Sequence, residues 1–498
     1  MTQSPASRPH YKVTFVVLSA GIGAYALLQS LVAPVLPTIQ EHLHTTQSAV
    51  TWVMTAYLLS ASIATPILGR IGDMVGKERM LLVTLIALAL GSLLAAVATS
   101  IGVMILARVI QGVGGGIIPL AFGIIRDEFP PEKVSAAIGT AAALTAVGGG
   151  LGIVVAGPIV NSLDYHWLFW IPLIVVSGAA VATHLVVPES PVRTAGRVNL
   201  PATVLLSGWL VALLVPISQG EQWGWASGRV IGLVGLAAVL LTAWVVVEVR
   251  SAEPLIDMRM MRVPAVWTTN LVALLFGVGM YSVMTFLPEF VQTPSSAGYG
   301  FSATITQSGV FLLPMTVTMF VSGIVAGRLT ARFGAKSLLV AGSAVTIVPM
   351  VMLAVSHSER WEIYAVSALL GAGIGLAFSS MSGLIVTAVR PEQTGAASGM
   401  NANIRTIGGS IGTAVMASIV TSGASVGGLP KDSGYSNGFW FLAAATATAL
   451  VASLVIPAAR RRTGSTENSE NTDFGLVPAT PATPAMAAAG GPVQDLTA

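Results

Sequence analysis

The chain contains no cysteine among its 498 residues, which excludes a disulfide framework, thiolate metal sites and cysteine nucleophiles. Charge is nearly as scarce. Asp, Glu, Lys and Arg make up 9% of the residues against 54% hydrophobic ones, whereas soluble domains carry about 25% charged residues. With a mean hydropathy of +0.80, the chain has too little polar surface to enclose a water-soluble core and reads as integral to a membrane. No G-x-x-x-x-G-K-S/T run is present to cradle ATP phosphates. His, Asp and Glu do not gather within the apolar runs either, so no intramembrane enzyme, metal site or bound cofactor is expected. The net charge of +3 and a pI near 9.3 are read as membrane orientation, with no nucleic-acid partner.

What is present is a series of long apolar runs. A helix needs about 20 apolar residues to cross a bilayer, and such runs lie near 13–36, 48–68, 80–98, 101–123, 134–160, 167–187, 200–218, 230–249, 265–287, 305–327, 337–355, 362–388, 396–421 and 437–457. Lipid offers the backbone no hydrogen-bond partners, so each run is predicted to be a helix. The first run is too long for a signal-peptide core and is read as an uncleaved span. Placing the N-terminus inside leaves only Arg229, Arg360 and Lys431 in outer loops and Arg108 and Arg405 within spans. The other nineteen of the 24 basic residues are then internal. That asymmetry predicts a multi-pass protein of the cell membrane with both ends cytoplasmic. Residues 458–498, rich in Ser, Thr, Pro and Ala, are expected to form a disordered cytoplasmic tail.

The stretch "LGRIGDMVGKERM", Leu68 to Met80, crowds five charges between two apolar runs. It has an echo. "GRIGDMVGK" from Gly69 aligns with "GRLTARFGA" from Gly327 at an offset of 258, and "PEKVSAAIGTAAALTAVGGGLG" from Pro131 aligns with "PEQTGAASGMNANIRTIGGSIG" from Pro391 at an offset of 260. Six spans precede the seventh and six begin at the ninth. The expected organisation is therefore a cytoplasmic N-terminus (1–12), an N-terminal six-helix bundle (13–187), a linker with two extra spans (188–264), a C-terminal six-helix bundle (265–457) and the tail (458–498). Related halves with a site between them are a standard transporter plan.

On three motifs, over residues 11–458, the sequence resembles the major facilitator superfamily, in its fourteen-span drug:proton antiporter branch. In the first, Gly69, Arg70, Asp73, Gly76, Lys77 and Arg79 stand in the loop between spans two and three, with Met74 and Glu78 where the family has basic residues. The resemblance implies an inner gate in which Asp73 meets a helix N-terminus across the bundle interface; the alternative is a positive-inside anchor. In the second, "ARVIQGVGGG", Arg108 and Gln111 share a helical face with Gly112, Gly115 and Pro119. An arginine there is expected to face an interior cavity or partner, and the resemblance assigns it to proton coupling. In the third, "GGGLGIVVAGP" in span five, Gly148, Gly152, Gly157 and Pro158 fit the antiporter-type glycine motif, while Ile153 and Ala156 depart from it.

The branch's acidic residue in span one is missing: Leu28 and Gln29 occupy its place. Span thirteen carries Asn401 and Arg405 on one face and Asn403 on another, a pattern unsuited to lipid. The candidate substrate and proton-pathway residues are Gln29, Arg108, Gln111, Glu289, Asn401, Asn403 and Arg405. Tyr25 and the stretch "FGVGMYSVMTFLPEF" are candidate wall. Arginines without a deep carboxylate predict neutral, zwitterionic or anionic amphipathic substrates. The expected fold is an all-α membrane protein, a major-facilitator fold of 14 transmembrane helices as two six-helix bundles plus two linker helices. The expected activity is export of small amphipathic molecules in exchange for protons, by a monomer in the lipid bilayer that uses the proton gradient and no cofactor. The alternative is a proton-coupled importer or metabolite carrier.

Overall fold

The computed structural model describes residues 11–190, 197–421 and 430–457. The expected tail 458–498 and most of the expected N-terminal segment, with Arg8, Arg193 and Arg460 to Arg462, lie outside the described residues. Among the described residues, fourteen helices are long and apolar enough to cross a membrane: α1 (Tyr11–Val35), α2 (Ala49–Val75), α3 (Lys77–Ala96), α4 (Ile101–Glu128), α5 (Pro131–Ser162), α6 (Trp167–Val186), α7 (Leu200–Gly220), α8 (Gly228–Arg250), α9 (Pro264–Gln292), α10 (Ile305–Phe333), α11 (Ala335–Val355), α12 (Arg360–Ala388), α13 (Pro391–Thr421) and α14 (Asp432–Val455). The face of the protein at which α2 ends and α3 begins is called the charged face below.

Polar caps start several of the helices that enter from the opposite face. Thr46 caps the helix containing α2, Ser100 caps α4, and Thr304 with Gln307 closes a capping box at α10, each satisfying backbone N–H groups that have no partner within the helix. At the charged face the chain instead turns through Gly76 (φ 132°) and Gly334 (φ 80°). Both backbone angles disfavour side chains, and the two glycines are 258 residues apart. The repeated charged loop is thus built on a repeated glycine turn.

Helix pairing carries the repeat into three dimensions. Within the first half α1 packs on α5 and α6, α2 on α4, and α3 on α4 and α6. Within the second, α9 packs on α13 and α14, α10 on α12, and α11 on α12 and α14. Exchanging α1–α6 for α9–α14 turns one list into the other. It also exchanges the two main contacts between bundles, α2–α13 and α5–α10, as a two-fold axis requires. The extra helices break this symmetry. α7 packs on α2 and α13 together, while α8 packs on α7, where Trp209 and Trp244 meet at 6.0 Å between ring centroids. The outer face of α8, with Ile231, Val239 and Val249 exposed, has the apolar character of a lipid-facing surface.

Candidate functional site

At the charged face the two bundles are shut against each other. A Cβ on Gly69 of α2 would lie 2.6 Å from the Gly395 carbonyl oxygen, and one on Gly399 would lie 3.0 Å from Pro66. The α2–α13 crossing is backbone against backbone. One turn further along α2, the Asp73 carboxylate reaches the same spot: a Cβ on Gly395 would stand 3.0 Å from Asp73 Oδ2. Gly395 lies in the first turn of the α-helix Thr394–Thr421, where the helix dipole favours an anion. Lys77 Nζ lies 3.6 Å from Asp73 Oδ1 and 2.7 Å from Asp127 Oδ2, all three side chains being buried. The Ser190 hydroxyl, just beyond α6, also donates to Asp127.

Arg126 completes the closure. Its guanidinium donates to the Val386 carbonyl at 2.5 Å, the Thr394 hydroxyl at 2.8 Å and the Val389 carbonyl at 2.7 Å, so an N-terminal-bundle cation holds α12 and α13. Two carboxylates and two cations balance. Of the remaining gate candidates, Arg70 is half-buried. Gly76 leaves room for the Glu189 carboxylate, whose oxygen a Cβ there would meet at 2.5 Å. Arg79 is exposed and pairs with Glu189 at 3.3 Å. At the offset of 258, Ala331 and Ala335 stand for Asp73 and Lys77. The α5–α10 crossing accordingly closes by packing, with Gly139 and Ala136 against Gly327.

Above the gate, Ile118, Phe122, Phe378, Ile385, Ser398, Asn401 and Arg405 surround a chamber of about 10 Å³, the room of about one water. Above that opens a cavity of about 730 Å³ between the bundles, within the range of small-molecule sites. Its lining runs from Thr65, Ile118, Phe378 and Arg405 at the floor to Pro34, Pro288, Glu289, Gln292 and Tyr435 at the face opposite the charged one. Gln29, Thr145, Gly149, Ile153, Asn403, Thr406 and Ser410 add to the walls, with Tyr25, Met54, Leu58, Met280, Tyr281 and Met284 as the larger side chains. The Arg405 guanidinium lies over the Phe378 ring at 4.2 Å, and Glu289 accepts a hydrogen bond from the Tyr435 hydroxyl at 3.1 Å.

The structure therefore brings Gln29, Glu289, Asn403 and Arg405 together and leaves three sequence candidates elsewhere. Arg108 and Gln111 do not line the cavity. Arg108 is fully buried inside the N-terminal bundle, stacked on Tyr57 at 4.1 Å and bonded to the Val53 carbonyl at 3.1 Å and Gln111 Oε1 at 2.9 Å. Gln111 donates to Ser92. The cost of a charge in lipid is met here by partners rather than by water. Asn401 belongs to the small chamber and donates to Asn270 of α9 at 2.8 Å. The glycine motif is a packing device: Gly148 and Gly152 admit Ala26, Leu27 and Ser30 of α1, and Gly157 admits Thr306 of α10. Pro158 lies within an unbroken helix. Sequence reasoning missed Arg126, Asp127, Phe378 and Met54. It named "FGVGMYSVMTFLPEF" as wall, but only Met280, Tyr281, Met284, Thr285, Pro288 and Glu289 of that stretch face the cavity.

Comparisons with known proteins agree with this architecture. The sequence matches the family model described as Major Facilitator Superfamily over residues 18–413, and again over 300–489. Relatives include the tetracenomycin C resistance and export protein of Streptomyces glaucescens, 27% identical over 82% of this chain and 76% of its own length. Multidrug resistance protein 3 of Bacillus subtilis is 26% identical over 85% and 82%. Among solved structures, the human organic anion transporter MFSD10 superimposes with a TM-score of 0.66 over 90% of this chain and 100% of that one, at 14% identity, a likeness of fold. Two six-helix bundles exchanged by a two-fold axis, a cavity between them and a sequence match across most of the chain lead to one assignment: the protein is a multi-pass membrane transporter of the Major Facilitator Superfamily.

Proposed function

We propose that the protein is a secondary active exporter, which carries small amphipathic molecules such as drugs or antibiotics out of the cell in exchange for protons by alternating access. The observation that carries this reading is a 730 Å³ cavity of mixed polar and apolar lining, open at one face and sealed at the other by Arg126 and by backbone contacts between the bundles. The basic residues put the sealed, charged face in the cytoplasm, so the structure is read as the outward-facing state. Export is favoured by relatives whose names state antibiotic export and multidrug resistance.

In this reading Gln29, Asn403 and Arg405 contact substrate and Glu289 titrates at the outer mouth. Gly69, Asp73, Lys77 and Arg126 form the gate, Arg108 and Gln111 hold α4 against α2, and the glycine motif holds α5. One chain encloses the whole cavity, so a monomer suffices. The energy source is the proton gradient, with no cofactor.

The test is accumulation of toxic amphipathic compounds in matched cells that lack or overproduce the protein. Export predicts lower accumulation in the overproducer, with an uncoupler erasing the difference. Higher accumulation in the overproducer establishes an importer instead, and a difference that survives the uncoupler rules out proton coupling.

A further inference from the structure

We infer that the cavity floor is a carboxylate seat: Arg405 is placed to hold the anionic head of an amphipathic monoanion whose apolar body lies along Met54, Met280 and Met284. The inference deepens the exporter reading and rests on it only for the direction in which the ligand is carried.

The first support is unused hydrogen-bonding capacity. Arg405 is 5% exposed, yet its Nε has no hydrogen-bond partner. Buried polar groups are ordinarily satisfied, because leaving them unpaired costs free energy. Arg405 lines the cavity, so its side chain, though not the covered Nε itself, borders the space a ligand would fill.

The second is charge. Arg405 forms no ion pair among the described residues. Its neighbours are the Phe378 ring and the Tyr281 side chain, which shares a hydrogen bond with it. Glu289 is the carboxylate among the described lining residues. It lies eight positions beyond Tyr281 along α9, about 12 Å at the helical rise, and it already accepts the Tyr435 hydroxyl. The floor therefore keeps a positive charge without its own counter-ion.

The third is shape. With one face on Phe378, the guanidinium offers its edge, and the planar fork matches the two oxygens of a carboxylate. Methionine side chains rearrange around varied apolar bodies, so the head-group is read strictly and the body loosely. An organic cation would meet Arg405 as a like charge.

The test uses the purified full chain in detergent and three probes that differ only in their heads: phenylbutyrate, phenylbutanol and phenylbutylammonium, titrated by calorimetry. The carboxylate is expected to bind about tenfold or more tightly than the alcohol, as a charge-assisted bond implies, with the ammonium weakest. Arg405→Gln should bring the carboxylate down to the alcohol's affinity and leave the alcohol within about twofold. Arg405→Lys, which keeps the charge and loses the planar fork, should narrow the preference by several-fold, and it decides the matter if Arg405→Gln does not fold. Equal affinities, an ammonium preference, or a carboxylate preference untouched by these substitutions would overturn the seat. Efflux in cells without any head-group preference sinks the seat and spares the exporter. A carboxylate preference in the purified protein without efflux spares the seat and sinks the exporter.

Discussion

Lys77 sets the charge balance of the gate. Its stem runs past Gly123, where a Cβ would come within 2.7 Å of Lys77 Cδ and Cε, and its ammonium serves Asp127 and Asp73 at 2.7 and 3.6 Å. Removing one member of a buried ion cluster strands the others, at about 3–5 kcal/mol. Lys77→Met keeps the bulk and loses the charge, so it should lower the thermal midpoint in detergent well below that of Asp73→Asn. The Lys77→Met/Asp73→Asn double variant should recover part of the loss. Equal midpoints for Lys77→Met and the parent would refute this account. Arg126 acts by another route, binding carbonyls on the opposite bundle. Arg126→Gln should leave the fold standing and make the charged face more reactive to thiol reagents at a cysteine placed nearby, with unchanged reactivity counting against it. The two residues also differ in how visible they are. Asp73 and Lys77 sit in a recognisable spacing, whereas Arg126 resembles any loop arginine on the positive side, because two of its three partners are main-chain oxygens, of Val386 and Val389, that carry no residue-type signal. Arg108 was expected to face a cavity or a partner, and the structure supplies the partners. Hydropathy says that a charge in a span needs company, and it does not say whether the company is water, a ligand or Tyr57.

The α2–α13 and α5–α10 contacts do equivalent jobs by related means. Gly69 and Gly395 let two backbones touch, and Gly139 and Gly327 do the same on the other side. A methyl group at Gly69 would fall 2.6 Å from the Gly395 carbonyl, and neither helix backbone yields to that cheaply. Gly69→Ala should therefore pry the charged face open and raise the labelling of a cysteine at Ser398, in the small chamber, by a reagent supplied from that face. A Gly69→Ala protein with parental labelling would remove this crossing from the gate. The existence and number of the helices were legible because an apolar run of about 20 residues has few other structures open to it. Their ends were less so. The run of α2 was read to 68 and that of α10 to 327, but the helices continue to Val75 and Phe333. The added turns carry Arg70, Asp73, Arg328 and Arg332. Hydropathy reads such residues as loop, while those of α2 are buried or half-buried beside the other bundle.

Across the whole molecule the two-fold relation is complete in helix pairing and incomplete in chemistry. Charged groups reach across the α2–α13 side, Asp73 to Gly395 and Arg126 to Val386, Val389 and Thr394, with Lys77 and Asp127 completing their cluster inside the N-terminal bundle, while alanines occupy the positions of Asp73 and Lys77 on the α5–α10 side. A packed crossing without charges keeps its contacts under modest rotation, because dispersion contacts are many and individually weak. The Arg126 hydrogen bonds to Val386, Val389 and Thr394 are directional and are lost once their geometry fails. Rocking of the bundles is then expected to part α2 from α13 first, with the α5–α10 crossing serving as the pivot. The absence of cysteine makes this measurable, since every introduced thiol is unique. In an Arg126→Gln/Asp73→Asn background, Ser398→Cys, beside the ionic crossing, should react several-fold faster from the charged face than in the parent. Ser379→Cys, which lies against Gly139 at the other crossing, should change little. Cysteines at Arg79 and Lys336 must react from the same side of the membrane, and those at Arg229 and Arg360 from the other, which fixes the face being probed. Equal acceleration at Ser398 and Ser379 would mean that the bundles separate as a symmetric pair, and the pivot would have to be abandoned.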